Sequence, residues 1–191
     1  MNYSACYSIS FFMALYLQSI GAMSATEAGM LMLIQPVVQI IAANLSGRAY
    51  DMISDKRVLA AIGAVVTAVG VAMFLFLGLE SSKAFVVLIL IVCGIGAGMF
   101  STPNTTLMIS LVDKKDRGDA SSSVAVMRQT GMMMSMGIAM ACISLIIGST
   151  DNIKPENYGL FLDTIHLALG ICLATCLIGI ACTLMARRMK I

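Results

Sequence analysis

Apolar residues run in blocks of about twenty, separated by short polar segments that hold nearly all of the charge. Val58–Leu79 and Ala84–Val112 contain no charged residue at all. A bilayer core of ~30 Å takes about 20 apolar residues per helix, so the pattern predicts six membrane-spanning helices, at roughly 5–20, 26–47, 57–79, 84–111, 119–148 and 161–186. The first is the most polar of them, because Met1–Ile20 carries several Ser, Tyr and Asn residues. A cleaved leader is the competing reading there, disfavoured by the lack of a basic start and of a small-residue cleavage site. No extramembrane domain is predicted, and 1–191 reads as a single all-α, polytopic membrane bundle.

Composition removes the soluble alternative. Hydrophobic residues make up 59% of the 191, charged ones 12%, and the mean hydropathy is +0.94; so few charges cannot cover the surface of a water-soluble domain. Cys6, Cys93, Cys142, Cys172, Cys176 and Cys182 all fall inside apolar stretches, as small buried hydrophobes do, and form no disulfide framework. A net charge of +2 without a basic, aromatic-interleaved patch gives no ground for nucleic-acid binding.

Where the cations sit matters more than their sum. Arg48, Lys56, Arg57, Lys114, Lys115, Arg117, Arg187, Arg188 and Lys190 fall on one side of the predicted spans, and only Lys83 and Lys154 on the other. Basic loops stay on the cytoplasmic side, which predicts two cytoplasmic termini in a cell membrane, and the lean loops suit a prokaryotic plasma membrane.

Several residues stand out against this apolar background. The segment "SGRAYDMISDKR" puts Gly47, Asp51, Lys56 and Arg57 in a short loop between two long helices, where a glycine permits close approach and a basic pair anchors the next helix. A plain positive-inside turn is the simpler reading. In "VCGIGAGMFSTPNTTL", Gly94, Gly96 and Gly98 thin one helix, and Pro103 predicts a break or bend lined by Asn104, Thr105 and Thr106. Arg128 lies inside the fifth span, nine residues beyond Asp119, about 14 Å along a helix. A cation at that depth calls for a partner, a wet cavity or a substrate anion, or else snorkels to the surface past Ser121, Ser122 and Ser123.

Other candidates weigh less. Asp163 and His166 share a helix face at the start of the sixth span and read as an interfacial cap and a satisfied histidine, with a proton relay as the sharper alternative. Met127, Met132, Met133, Met134 and Met136 run around their helix instead of forming a spaced ligand set with Cys172 and Cys176, so no metal site is predicted. No nucleophile and base pair, zinc signature or carboxylate dyad offers an enzyme site.

"YLQSIGAMSATEAGMLMLIQP", "SGRAYDMISDKR", "GIGAGMFSTP", "RGDAS" and "RQTGMMMSMG" follow one another as in the carboxy-terminal half of major facilitator superfamily transporters, and the chain resembles the drug/proton antiporter branch along nearly its whole length. Met52, Ser54 and Asp55 depart from the family's loop motif, G-x-x-x-D followed by basic residues. The resemblance implies half of that fold, a 3+3 inverted repeat, with the first and fourth spans lining a central cavity, the second and fifth at the contact with another half, and the third and sixth outside. It implies Gln18, Gln35, Asn104, Arg128 and Gln129 as contacts to substrate or partner half. Gly47, Asp51, Lys56 and Arg57 become a gating loop, and Gly94, Gly96, Gly98, Pro103 and Gly131 packing positions.

The function so implied is secondary transport: proton-coupled multidrug efflux of small amphipathic molecules by alternating access. No cofactor is implied, the proton gradient being the energy source. Partners are the lipid bilayer, a small-molecule substrate and a second six-helix half, either another copy or a separate chain. A truncated or regulatory half that pairs with another membrane protein is the rival expectation.

Overall fold

The computed structural model of the chain describes residues 2–52, 56–79, 81–148 and 157–188, with side chains over 7–49, 58–79, 81–148 and 157–179. Its elements are α1 (Asn2–Ser19), α2 (Ala25–Met32), α3 (Ile34–Met52), α4 (Lys56–Phe74), α5 (Lys83–Ser110), a 3-10 turn at Lys114–Asp116, α6 (Arg117–Ile146) and α7 (Tyr158–Arg188). The described residues contain no strand. Ala25–Ala49, Lys83–Ser110, Lys114–Ile146 and Tyr158–Gly179 are long and apolar enough to cross a bilayer, and α4 adds a shorter apolar helix.

Local chemistry explains the boundaries. Ser24 and Glu27 form a reciprocal capping box at the start of α2: the Glu27 amide donates to Ser24 Oγ at 3.3 Å and the Ser24 amide to Glu27 Oε2 at 2.9 Å. Ser82 caps α5 by accepting from the Phe85 amide at 3.3 Å. α6 ends at Gly148, whose φ of +89° only a glycine adopts without strain, and both Ile147 and Gly148 amides donate to the Ile143 carbonyl. Among the described residues one rod is interrupted partway, at Leu33, between α2 and α3. Pro36 has no amide proton for the Met32 carbonyl, so the ladder loses a rung there. By contrast, α5 runs on as one helix through the buried Pro103, so that of the break or bend predicted there the break is absent.

α2 and α3 together make one rod, giving six rods in alternating direction. Exchanging the first three for the last three maps their main contacts onto each other. α3 against α5 corresponds to α6 against α1, and α4 against α5 to α7 against α1, while α4 against α7 maps onto itself. This is the packing a 3+3 inverted repeat produces.

The largest buried side chains come from one half of the bundle's length: Ile9, Phe12, Met13 and Leu17 of α1, Phe74 and Leu77 after α4, Ile89 and Leu90 of α5, Ile143 of α6, and Phe161, Ile165 and Leu169 of α7. Lipid tails are as apolar as these side chains, so what holds them together is close packing and dispersion rather than escape from the solvent. The half that carries Arg48, Lys114, Lys115 and Arg117, termed here the basic end, is packed less. Val124 is the only buried described residue of α6 before Ser135, and Pro103 the only one of α5 after Gly98. The bundle is therefore sealed at one end, while at the other α6 and the last turns of α5 stand clear and α3 and α4 keep Ser46, Leu59 and Ala60 buried.

Candidate functional site

On α6 the inward positions recur at spacings of three and four: Ala120, Val124, Arg128, Gly131, Ser135, Ala139, Cys142 and Ile146 are all buried or half-buried. Arg128 belongs to this stripe, and its Nε is buried. It lies 18 residues before the end of α6, about 27 Å along the helix. Ser101 lies the same number of residues after the start of the antiparallel α5, with Asn104 one turn further on, and both are half-buried. α5 and α6 pack on each other, so Ser101, Asn104 and Arg128 come to similar depth, in the half where the core has ended. A guanidinium, an amide and a hydroxyl at one level provide donors and acceptors for the polar end of a small molecule. Beside them Met127, Met133 and Met134 are exposed on α6, a flexible apolar wall that adapts its shape.

Above this level a polar node joins three helices. Ser8 of α1 hydrogen-bonds the hydroxyl of Ser135 on α6, and its Oγ also lies 3.3 Å from Cys172 Sγ on α7. All three side chains are at most 1% exposed. The sequence reading missed this node, since nothing local pairs residues 127 and 164 positions apart. A signal existed in the stripe that places Ser135 on the buried face of α6.

The remaining predicted positions divide. Gln35 is buried, accepting from Ser10 Oγ at 3.3 Å, and so ties α3 to α1. Gln18, near the sealed end of α1, and Gln129, next to Arg128 on α6, are exposed. Gly47 is half-buried, and a Cβ there meets only Thr102 Cγ2 at 3.8 Å, ordinary contact. The side chains of Asp51, Lys56 and Arg57 lie outside the described residues, so no gating geometry follows from them. Asp163 is exposed and His166 half-buried. Among the described residues no three His, Cys, Asp or Glu side chains gather as metal ligands.

Three glycines of α5 carry a tight seam. A Cβ on Gly94 falls 2.7 Å from the Gln35 carbonyl oxygen, one on Gly98 2.6 Å from that of Gln39, and one on Gly96 2.5 Å from the Thr67 amide nitrogen. Gly94 and Gly98 thus face α3, and Gly96 faces α4. From the other side Gly63 meets the backbone of Met99 and Phe100, and Gly70 meets Cys93. Ser46 crosses the α3 side of the seam, donating to the Gly98 carbonyl at 3.3 Å. Gly131, expected among the packing positions, takes no part: a Cβ there finds nothing within 4 Å, because α6 stands off its neighbours at this level.

Comparison with known proteins agrees with this architecture. The family model described as Major Facilitator Superfamily matches residues 1–190. The riboflavin transporter RibZ of Clostridioides difficile (strain 630) is 25% identical over 189 residues, which cover 96% of this chain and 41% of that protein. The uncharacterized transporter YebQ of Escherichia coli (strain K12) is 27% identical over 130 residues, 68% of this chain and 28% of that one. The chain spans less than half the length of either relative.

Proposed function

Since the chain belongs to the Major Facilitator Superfamily, we propose that it is the carboxy-terminal six-helix half of a secondary transporter, working by alternating access against a second six-helix bundle. The observation that carries this reading is the family match over residues 1–190 on a bundle whose packing has the two-fold pattern of such a half. Both named relatives are called transporters, and the share of their length left unmatched is enough for another bundle.

In this reading the basic end is cytoplasmic, both termini included, and the membrane is a prokaryotic plasma membrane. The sealed end closes the outer side while the level of Ser101, Asn104 and Arg128 opens inward. Arg128 holds the polar part of a small amphipathic substrate and the methionines of α6 accommodate its apolar part. Transport is driven by the proton gradient and directed outward, as in the drug/proton antiporter branch. Riboflavin is the first substrate to try, because one relative is a riboflavin transporter.

The test is flux in proteoliposomes, using the chain together with whatever bundle co-purifies with it. Labelled riboflavin should cross faster than in empty liposomes, and faster still under an imposed proton gradient. Flux equal to empty liposomes for riboflavin and for a panel of cationic and neutral amphipaths removes the transport reading; flux indifferent to the gradient removes the proton coupling alone.

A further inference from the structure

The glycine seam leaves a groove on the outside of the bundle. Gly94 and Gly98 draw α3 onto one side of α5, and Gly63, Gly70 and Gly96 draw α4 onto the other, yet α3 and α4 touch each other only slightly. The two rods straddle α5 and enclose a furrow of about 480 Å³, floored by Ile95 and Met99 and walled by Ile41, Leu45 and Ala49 of α3 and Leu59 of α4. Ser46 is the only polar residue lining it. Its hydroxyl is already spent on the Ala43 and Gly98 carbonyls, at 3.0 and 3.3 Å. The furrow therefore has no free hydrogen-bond donor and accepts hydrocarbon.

Its length and position select the hydrocarbon. From Val38 to Ala49 it runs along twelve residues of α3, a rise of about 16 Å, which is one leaflet of a ~30 Å bilayer core. It ends beside the exposed Arg48 at the basic end, where α4 then starts at Lys56 and Arg57. Nine Lys and Arg against five Asp make this end of the chain positive, whereas two Lys against five acids make the other end negative. We infer that the furrow is a binding site for one acyl chain of an anionic glycerophospholipid, whose headgroup meets the cations around Arg48. Bulk annular lipid exchanges along a smooth surface. A recess one leaflet deep with a charged mouth retains a single molecule. The inference is independent of what the protein transports.

Native mass spectrometry of the full chain, released from nanodiscs of equal phosphatidylglycerol and phosphatidylcholine, tests it. The unaltered chain should retain one phosphatidylglycerol in preference to phosphatidylcholine. Ala49→Phe, which fills the furrow from its wall, should lower the retained lipid at least fivefold. Leu45→Trp, at an exposed wall position, does the same should the first variant fail to insert. Arg48→Gln should erase the preference between the two lipids while retaining an acyl chain. Val69→Phe, on the exposed face of α4 away from the furrow, should behave as the parent. Equal retention by the filled variants overturns the site, and equal retention of both lipids by the parent overturns the headgroup assignment. Loss of a dimer mass in Ala49→Phe, with no lipid on the parent, would give the furrow to a second copy instead.

Discussion

α5 and α6 are neighbouring rods of similar length, and both contain three or more glycines, yet they use them in opposite ways. Of the most apolar stretch of α5, 44% is buried, against 22% for that of α6. Gly94, Gly96 and Gly98 of α5 admit backbone from α3 and α4 at distances no side chain allows, whereas a Cβ on Gly118, Gly131 or Gly137 of α6 meets nothing within 4 Å. In place of close contacts α6 shows Met127, Met133, Met134 and Met140 on its exposed face, 42 to 68% accessible. The contrast separates a fixed part of the bundle from an adaptable part. α3, α4 and α5 are locked as a unit by backbone contact, which deforms little. α6 touches α1, α5 and α7 through a sparse stripe and is free to meet something else.

The largest effect should come from attacking the locked side. Gly98→Leu puts a branched side chain where the first carbon alone is 2.6 Å from the Gln39 carbonyl oxygen and 2.7 Å from Ala42 Cβ. Repulsion from backbone cannot be relieved by a rotamer change, so the cost reaches or exceeds the ~3 kcal/mol upper end of ordinary overpacking. Detergent-solubilised protein should lose its monodisperse peak in size-exclusion chromatography. A variant as stable as the parent would show that α3 and α5 are not locked at all.

How much of this contrast the sequence displayed depends on whether the cause is local. The spacing of Gly94 and Gly98 announces a close helix contact, and it is there, because small residues four apart always share a helix face. Gly131 looks equally able to pack, but packing needs a neighbour, and the neighbour is set by the tertiary arrangement. Proline shows the same limit. Pro103 and Pro36 each remove one amide, yet only the rod that holds Pro36 is interrupted, at Leu33, three residues before it. Within the candidate site, the depth of Arg128 follows from counting residues, while its shared level with Ser101 and Asn104 requires knowing that α5 and α6 pack antiparallel. For the Ser8–Ser135 bond, 127 residues apart, the stripe puts Ser135 on the buried face of α6 but nothing local names its partner.

Next in size is the loss of transport on the adaptable side. Arg128→Ala should cut substrate flux at least tenfold while the apparent melting temperature in detergent stays within a few degrees of the parent. Arg128→Lys should recover part of the flux, since it restores the charge without the planar fork of donors. Unfolding of the alanine variant instead would make Arg128 a strut, and α6 as structural as α5.

A smaller effect tests the node that fastens α6 to α1. Ser135→Ala removes one buried hydroxyl and leaves Ser8 with Cys172, 3.3 Å away, as an alternative partner. Hydrogen bonds between membrane helices contribute about 0.6–2 kcal/mol, and this remaining contact places the loss toward the lower figure. A double-mutant cycle with Ser8→Ala, read from thermal unfolding in detergent, should give a coupling of about 1 kcal/mol or less. A coupling of several kcal/mol would make the node a lock comparable to the glycine seam and erase the distinction between the two sides.

The smallest expected effect on the bundle carries the most information about its surroundings. Gly137 is exposed on α6, and a Cβ there has open space around it. Gly137→Leu therefore meets no obstacle within the bundle and gains intrinsic helix propensity of up to ~1 kcal/mol, so stability should be unchanged or slightly raised. Its effect on flux depends on what covers that face. If a second six-helix bundle packs there during transport, the added side chain occupies the space into which the partner's helix must move, and flux falls although the fold is intact. Facing lipid alone, the same leucine is one more apolar side chain among methionines, and flux is unaffected. Flux lost with stability retained assigns the open face of α6 to the partner half. Flux retained leaves the side of α6 around Gly137 to the bilayer and shifts the search for the contact to the exposed apolar sides of the other rods, Met30, Leu33 and Val37 of the α2–α3 rod among them.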